Sequence, residues 1–297
     1  MSDCCLYTIE DAVKLATVMK RCWFRGHSKI EYELIPSVFR HEFDEVEQLF
    51  GDREVEFMTE FARTAPSFMT GNIPKYRDWF SWLLMMQHHG APTRILDWSE
   101  SALTALYFAV RDNKDHDGCL WVINPGILNG FADINGYMPH PDHPKLQYLA
   151  CQPFYASPNA HDALGLKEKP NIPIAFLPPI KASRMIGQLS AFTIHPKPDG
   201  ANQLTDILTD PKHIRAYRIP AIRKVSLLSD LYSLGITEST LFPSLDSLSV
   251  SIKQRLRTSA PPEPEPPSFT PNPALKNEME AIKTIKRLFK IGNGEAG

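Results

Sequence analysis

The chain has 297 residues, 43% of them hydrophobic and 22% charged, with a formal net charge of −2. This composition suits one large globular domain or two small ones, with enough length for a sizeable core. It excludes a global field that recruits nucleic acid or an anionic membrane, and no run approaches the ~18 apolar residues of a spanning helix.

The opening stretch MSDCCLYTIEDAVKL has no basic segment followed by an apolar one, so no signal peptide is expected. Cys4, Cys5, Cys22, Cys119 and Cys151 are scattered and form no CxxC pair. Free thiols in a reducing cytoplasm are the expectation, with no metal. Thr8 reads as the cap of a first helix with Glu10 and Asp11 in its first turn, running to about Lys20. Cys22-Trp23-Phe24 has the content of a strand, ending at Arg25-Gly26-His27-Ser28. Such a strand delivers a guanidinium and an imidazole to a sheet edge. Gly26 permits close approach by a ligand or another strand. Residues 44 to 65 are patterned as a helix, and Asp78 to Met86 is the most apolar helix candidate of the chain.

That apolar run feeds the stretch around which the rest is organised, Gln87 to Val110. Gln87, His88, His89, Gly90 and Pro92 read as a turn. Ile95 and Leu96 between Arg94 and Asp97 read as a strand end carrying charges into a cleft. Ser99 is the expected cap of the following Ala-rich helix, with Glu100 in its first turn. Arg94 and Asp97 are either a structural ion pair or part of a site. The crowding of Gln, His, His, Arg, Asp and Trp favours a site.

Cys119 to Asn124 is a further strand, and residues 129 to 180 are Pro-rich and weakly periodic, the pattern of a long loop that covers a site. Ile174 to Leu177, Ala191 to His195 and Ile214 to Ile219 read as strands. Two short helices then close the domain near Arg257. Residues 258–273 have Pro at almost every second position and read as an extended tether. Leu275, Met279, Ile282, Ile285, Leu288 and Phe289 then follow at helical spacing, an amphipathic helix able to dock on its own domain, a partner or a second copy. The expected fold is α+β. A mixed central sheet carries Trp23-Phe24, Ile95-Leu96, Leu120 to Ile123 and Phe192 to Ile194 across residues 1–257, with a tethered helix over residues 274–297.

Three blocks resemble the FRG domain, a family named for a Phe-Arg-Gly motif. They are Phe24-Arg25-Gly26 with Leu34 to Arg40, then Gln87 to Ala109, then Arg184 to His195, closed by Leu241 to Asp246. The resemblance spans roughly residues 20 to 255 and departs at Leu189-Ser190, where the family tends to have Gln-Gly. It implies bacterial and phage-related settings, including defence. At the level of element order the chain is also similar to ADP-ribosyltransferases. Arg25-Gly26 ends a first strand, Asp97-Trp98-Ser99 precedes an Ala-rich helix, and Gln188 stands where those enzymes have a Glu.

The resemblance implies an NAD-binding or NAD-consuming protein, an ADP-ribosyltransferase or NAD glycohydrolase. Arg25, Asp97 and Gln188 would be its catalytic residues. Arg25, Gly26, His27, His88, Arg94, Trp98 and Ser99 would hold the dinucleotide, with Trp98 or Tyr107 stacking on a ring. The expected site gathers Arg25, Arg94 and Asp97 in one cleft, with His88 and Gln188 at its rim. Two alternatives compete. One is a sensor that binds a nucleotide or partner without chemistry and signals through the C-terminal helix. The other is a nuclease using His88, His89 and Asp97, disfavoured by the lack of a further acidic pair.

Overall fold

The computed structural model describes residues 4–40, 50–71, 73–135, 138–154, 159–179, 183–197 and 204–257. The expected tether and C-terminal helix lie outside the described residues. The chain divides into two units, Met1–Ser251 and Ile252–Gly297. The first holds the whole sheet. In chain order it contains α1 (Ile9–Val18), β1 (Trp23–His27), α2 (Phe50–Thr64), α3 (Trp79–His88), β2 (Ile95–Ser99) and α4 (Ala102–Val110). Then come β3 (Gly118–Ile123), α5 (Pro125–Phe131), α6 (Pro144–Cys151), β4 (Ile174–Phe176), α7 (Ser183–Gln188) and β5 (Ser190–Ile194). The last elements of the chain are α8 (Leu204–Ile207), β6 (Ile214–Ile219), α9 (Lys224–Ser233), α10 (Glu238–Leu241) and α11 (Leu245–Arg257), the last of which runs beyond Ser251, where the first unit ends.

The fold is α+β, built on one six-stranded sheet in the order β4-β5-β2-β1-β3-β6. Every strand pairing is antiparallel, where a mixed sheet was expected. A single parallel bridge, Cys5 to Arg218, adds to its β6 edge. The sheet is antiparallel because no helical crossover returns a strand beside its predecessor in the same direction. Strands β4 and β6, which the apolar runs at Ile174 and Ile214 predict, become the two edges.

Local chemistry sets the helix starts. Thr8 accepts from the Asp11 amide while the Asp11 carboxylate accepts from Thr8, a reciprocal cap that ties off α1. Asp78 caps α3 by accepting from the Ser81 amide. At α4 the cap is Ser101, whose hydroxyl accepts from the Thr104 amide. Ser99, expected in that role, is the last residue of β2, and Glu100 precedes the helix. Gln87 and His88 likewise belong to α3 rather than to the turn after it, because the apolar periodicity of α3 carries through them.

Register sorts the side chains onto two faces. Phe24, Gly26, Leu120, Val122, Ile95, Asp97, Ser99, Phe192 and Ile194 share one of them. Two helical groups cover it. α1, α4 and α9 pack over the β1 and β3 side through Leu15, Leu106 and Leu227. α2, α3 and α6 pack over the β5 and β4 side through Met58, Leu83 and Leu149. Each such side chain contributes ~1.5–3 kcal/mol on full burial. The opposite face carries Trp23, Leu96, Trp98, Ile123 and Ala191 under α5 and α8. The Pro-rich region is therefore not a loose cover. Pro144 starts α6, whose Leu146, Tyr148, Leu149 and Ala150 are core, and Asn129 bridges to the backbone of Ala175.

Candidate functional site

Between the two helical groups, β2 carries one exposed residue, Asp97, with buried neighbours on both sides. It lies on the floor of a cleft of about 840 Å³, with Ser190 and Phe192 of β5 beside it. One wall is α3, through Ser81, Leu84, Met85, Gln87 and His88. The other is α7, through Arg184, Met185 and Gln188.

The carboxylate of Asp97 is held but not covered. Gln87 Nε2 donates to its Oδ2 at 2.6 Å, and the Thr93 hydroxyl donates to Gln87 Oε1, which fixes the amide's orientation. Arg25 Nη1 donates to the Asp97 carbonyl at 2.6 Å and stands 3.9 Å from its carboxylate. Side-chain exposure separates the pair, at 58% for Asp97 and 16% for Arg25. Crowding by surrounding protein raises the Asp97 carboxyl above its ordinary value, opposed by Arg25, Gln87 and Arg184. Partial burial pushes the His88 imidazole below its own, helped by the charges of Arg184 and His89 and opposed by Asp97. His88 thus faces the wall that carries the Arg184 cation.

Arg25 itself does not end a strand at a sheet edge. It sits inside β1, a central strand paired with β3 over Trp23 to His27. The β1–β2 ladder has one register pair, Phe24 with Ser99, and the Arg25 guanidinium continues the connection to Asp97. Arg25 thereby braces Asp97 from the neighbouring strand. The close approach at Gly26 is made by a helix. The glycine faces α4, where Ala105 and Ala109 present bare backbone.

The expected convergence of Arg94 with Asp97 does not occur. Three residues apart along an extended chain, the two side chains turn away from each other. Arg94 is buried, donating through Nε and Nη2 to Glu54 of α2, and through Nη1 to Gln152 Oε1 at 2.6 Å and the Leu149 carbonyl at 3.2 Å. Trp98 is buried on the opposite face, its indole N–H donating to the Thr193 hydroxyl at 3.1 Å, and Tyr107 is buried with its hydroxyl on Glu238. Neither ring can stack on a ligand in this cleft. Ser99 donates to the Gln188 carbonyl at 2.6 Å and steadies the cleft wall from behind. Of the expected site residues, Asp97, His88 and Gln188 line the cleft. Gln87, part of the polar cluster read in the sequence, joins them, and so does Arg184, which the sequence did not single out as a site residue.

His27 is buried, as is His195 just after β5. Arg25 Nε donates to His27 Nε2 at 3.0 Å. Because a guanidinium can only donate, His27 is neutral and carries its proton on Nδ1, facing the Tyr32 carbonyl at 3.1 Å. Burial first, and Arg25 next, lower both imidazoles from 6.5 to about 3. The unfolded chain takes up these protons near pH 6.5, whereas the folded chain resists them down to about pH 3. Stability is therefore full above pH 6.5 and falls as pH drops, by about 2 kcal/mol for each histidine at pH 5. Urea unfolding at pH 7 and pH 5 measures the loss, and His195→Gln should remove one histidine's share of it. A pH-independent midpoint would refute the neutral assignment.

Residues 20–118 match the family model of the FRG domain. Over this stretch the chain is similar to the FRG domain. No curated protein and no solved structure matches the chain. The matched stretch of the FRG domain runs from just before β1 to the first residue of β3 and includes Arg25, Gly26, Gln87, His88, Arg94 and Asp97. It thus contributes Asp97 on the floor and the α3 wall of the cleft. The other wall, from Pro179 to Phe192, lies beyond it. Among the described residues, no three His, Cys, Asp or Glu side chains gather where they could hold one metal ion. Among the same residues no helix is long and apolar enough to cross a membrane.

Proposed function

We propose that the cleft binds a nucleotide, NAD first among the candidates, and that Asp97 faces the ribose–nicotinamide bond. The observation that carries this reading is the open Asp97 carboxylate on the cleft floor, held from behind by Gln87 and Arg25. A carboxylate fixed in this way stabilises the positive charge that develops on the ribose as nicotinamide leaves. The cleft volume, about 840 Å³, is in the range of small-molecule sites. Its apolar lining, Leu84, Met85 and Met185, suits the flat faces of a base. ADP-ribosyl transfer or NAD hydrolysis in conflict between bacteria and phage is the setting that the family resemblance supplies.

One feature favours a second reading, binding without chemistry. Gln188 carries no charge, and its amide is spent on the Leu241 carbonyl at 3.0 Å. Calorimetry with NAD, run beside an assay for released nicotinamide, separates the two. Asp97→Asn is expected to lower release about 100-fold while the protein melts normally. Binding without release by the native chain would establish the sensor. Absence of NAD binding would end both readings.

A further inference from the structure

We propose that Arg184 is the phosphate anchor of this cleft, so that the site selects phosphate esters over uncharged nucleosides. The inference rests on the cleft being the ligand site.

Three contacts clamp α7 onto α10 and set Arg184 in place. Gly187 lies so close to α10 that a methyl group there would stand 2.4 Å from the Thr240 carbonyl oxygen. Gln188 Nε2 donates to the next carbonyl, Leu241. The Arg184 guanidinium then lies over the Phe242 ring, 4.6 Å from its centre. Phe242 cannot drift, because Arg111 stands 5.4 Å from the same ring and Phe108 packs edge-on at 5.8 Å. Glu238 holds Arg111 at 3.8 Å and takes the Tyr107 hydroxyl, so its charge is already committed.

Arg184 therefore has a fixed position and spare donors. Nη1 donates to the His88 carbonyl at 3.2 Å, which ties the two cleft walls together. Nε and Nη2 have no partner among the described residues, and no carboxylate among them stands within ion-pair distance. Asp97, whose charge acts on Arg184 across the cleft, is held by Gln87 and Arg25 and makes no ion pair with it. A half-buried guanidinium with no ion pair among the described residues, lining a cleft, presents the planar donor fork that two anionic oxygens match. Lys75, exposed on the opposite side of the same cleft, adds a second positive charge beside the acid Asp78. Stacking on Phe242 holds the fork before the ligand arrives, which reduces the ordering cost of binding.

The test uses inorganic pyrophosphate, with malonate as a carboxylate control, on the full chain. Pyrophosphate is expected to bind the native protein and to lose about 10-fold or more in affinity in Arg184→Gln. Arg184→Lys keeps the charge without the fork and should fall between. Phe242→Leu leaves the guanidinium without its platform and should weaken binding less than Arg184→Gln. NAD should weaken in Arg184→Gln while nicotinamide riboside, which lacks phosphate, is unchanged. Unaltered pyrophosphate affinity in Arg184→Gln overturns the proposal, and so does malonate binding as tightly as pyrophosphate. If Arg184→Gln fails to fold, unaltered affinity in Arg184→Lys overturns it equally. Pyrophosphate binding that depends on Arg184, in a protein that ignores NAD, keeps the anchor and removes the NAD reading alone.

Discussion

Glu54→Ala is expected to cost about 3–5 kcal/mol of folding stability, because it leaves a buried guanidinium without its counter-charge. Arg94 and Glu54 are both buried, at 1% and 4% side-chain exposure, and form a two-point pair between the start of β2 and α2. The rest of the Arg94 donors go to Gln152 and to the carbonyls of Leu149 and His195. One side chain thus joins α2, α6 and the end of β5 under the α3 side of the cleft. Denaturant unfolding of Glu54→Ala measures the loss. The double variant Glu54→Leu with Arg94→Met should recover much of it, since no charge is then stranded. A single variant within about 1 kcal/mol of the native protein would show that water reaches the pair and that it does not hold the helices.

Gly26→Ala should be comparably severe, about 3 kcal/mol or more, for a steric reason. The added methyl would stand 1.9 Å from the Ala105 carbonyl oxygen and 2.6 Å from the Ala109 nitrogen. Both are helix backbone, which cannot swing aside as a long side chain does. α4 would have to lift from β1, and with it the Leu106 and Val110 packing that fills this side of the core. Low soluble yield or a broad, early melt is the expected outcome. A native melt would mean that α4 shifts freely over the sheet. The Phe-Arg-Gly tripeptide thus combines a core aromatic, a positioning guanidinium and the contact that lets an Ala-rich helix lie flat on a central strand.

The site was legible only in part. Asp97 stands out in the sequence as the acid inside an apolar strand, and the strand's two-residue period places it with Ile95 and Ser99 on one face. In the structure the same period sets Arg94 apart from Asp97, against the expected convergence. Gln87 was visible as part of a polar cluster, but its bond to Asp97 depends on α3 ending above β2. Arg184 carries no local signal beyond being an arginine in a short helix. That it forms no ion pair among the described residues emerges only once the fold places it in the cleft. Leu189, beside Gln188, adopts a left-handed backbone, φ 46°, which nothing in its apolar side chain announces.

The sequence by itself determined the elements: the Thr8 cap, the apolar runs of the strands and the Ala-rich face of α4 are all read within a few residues of each other. Local propensity and periodicity are short-range, so they survive without the fold. Only the tertiary structure decided which charges are buttresses and which are free. Lys224 illustrates the difference: it is fully buried, and its ammonium closes the loop after α4 through the carbonyls of Ser28, Asn113 and Asp112 at 2.6, 3.0 and 3.3 Å. It reads along the chain as an ordinary surface lysine. Arg25, Arg94 and Arg184 look equally alike in sequence, yet one braces Asp97, one is consumed by Glu54 and one faces the cleft. The cost of burying a charge depends on partners some 40 to 100 residues away along the chain, as for Glu54 and His195 around Arg94. No window of sequence contains that term.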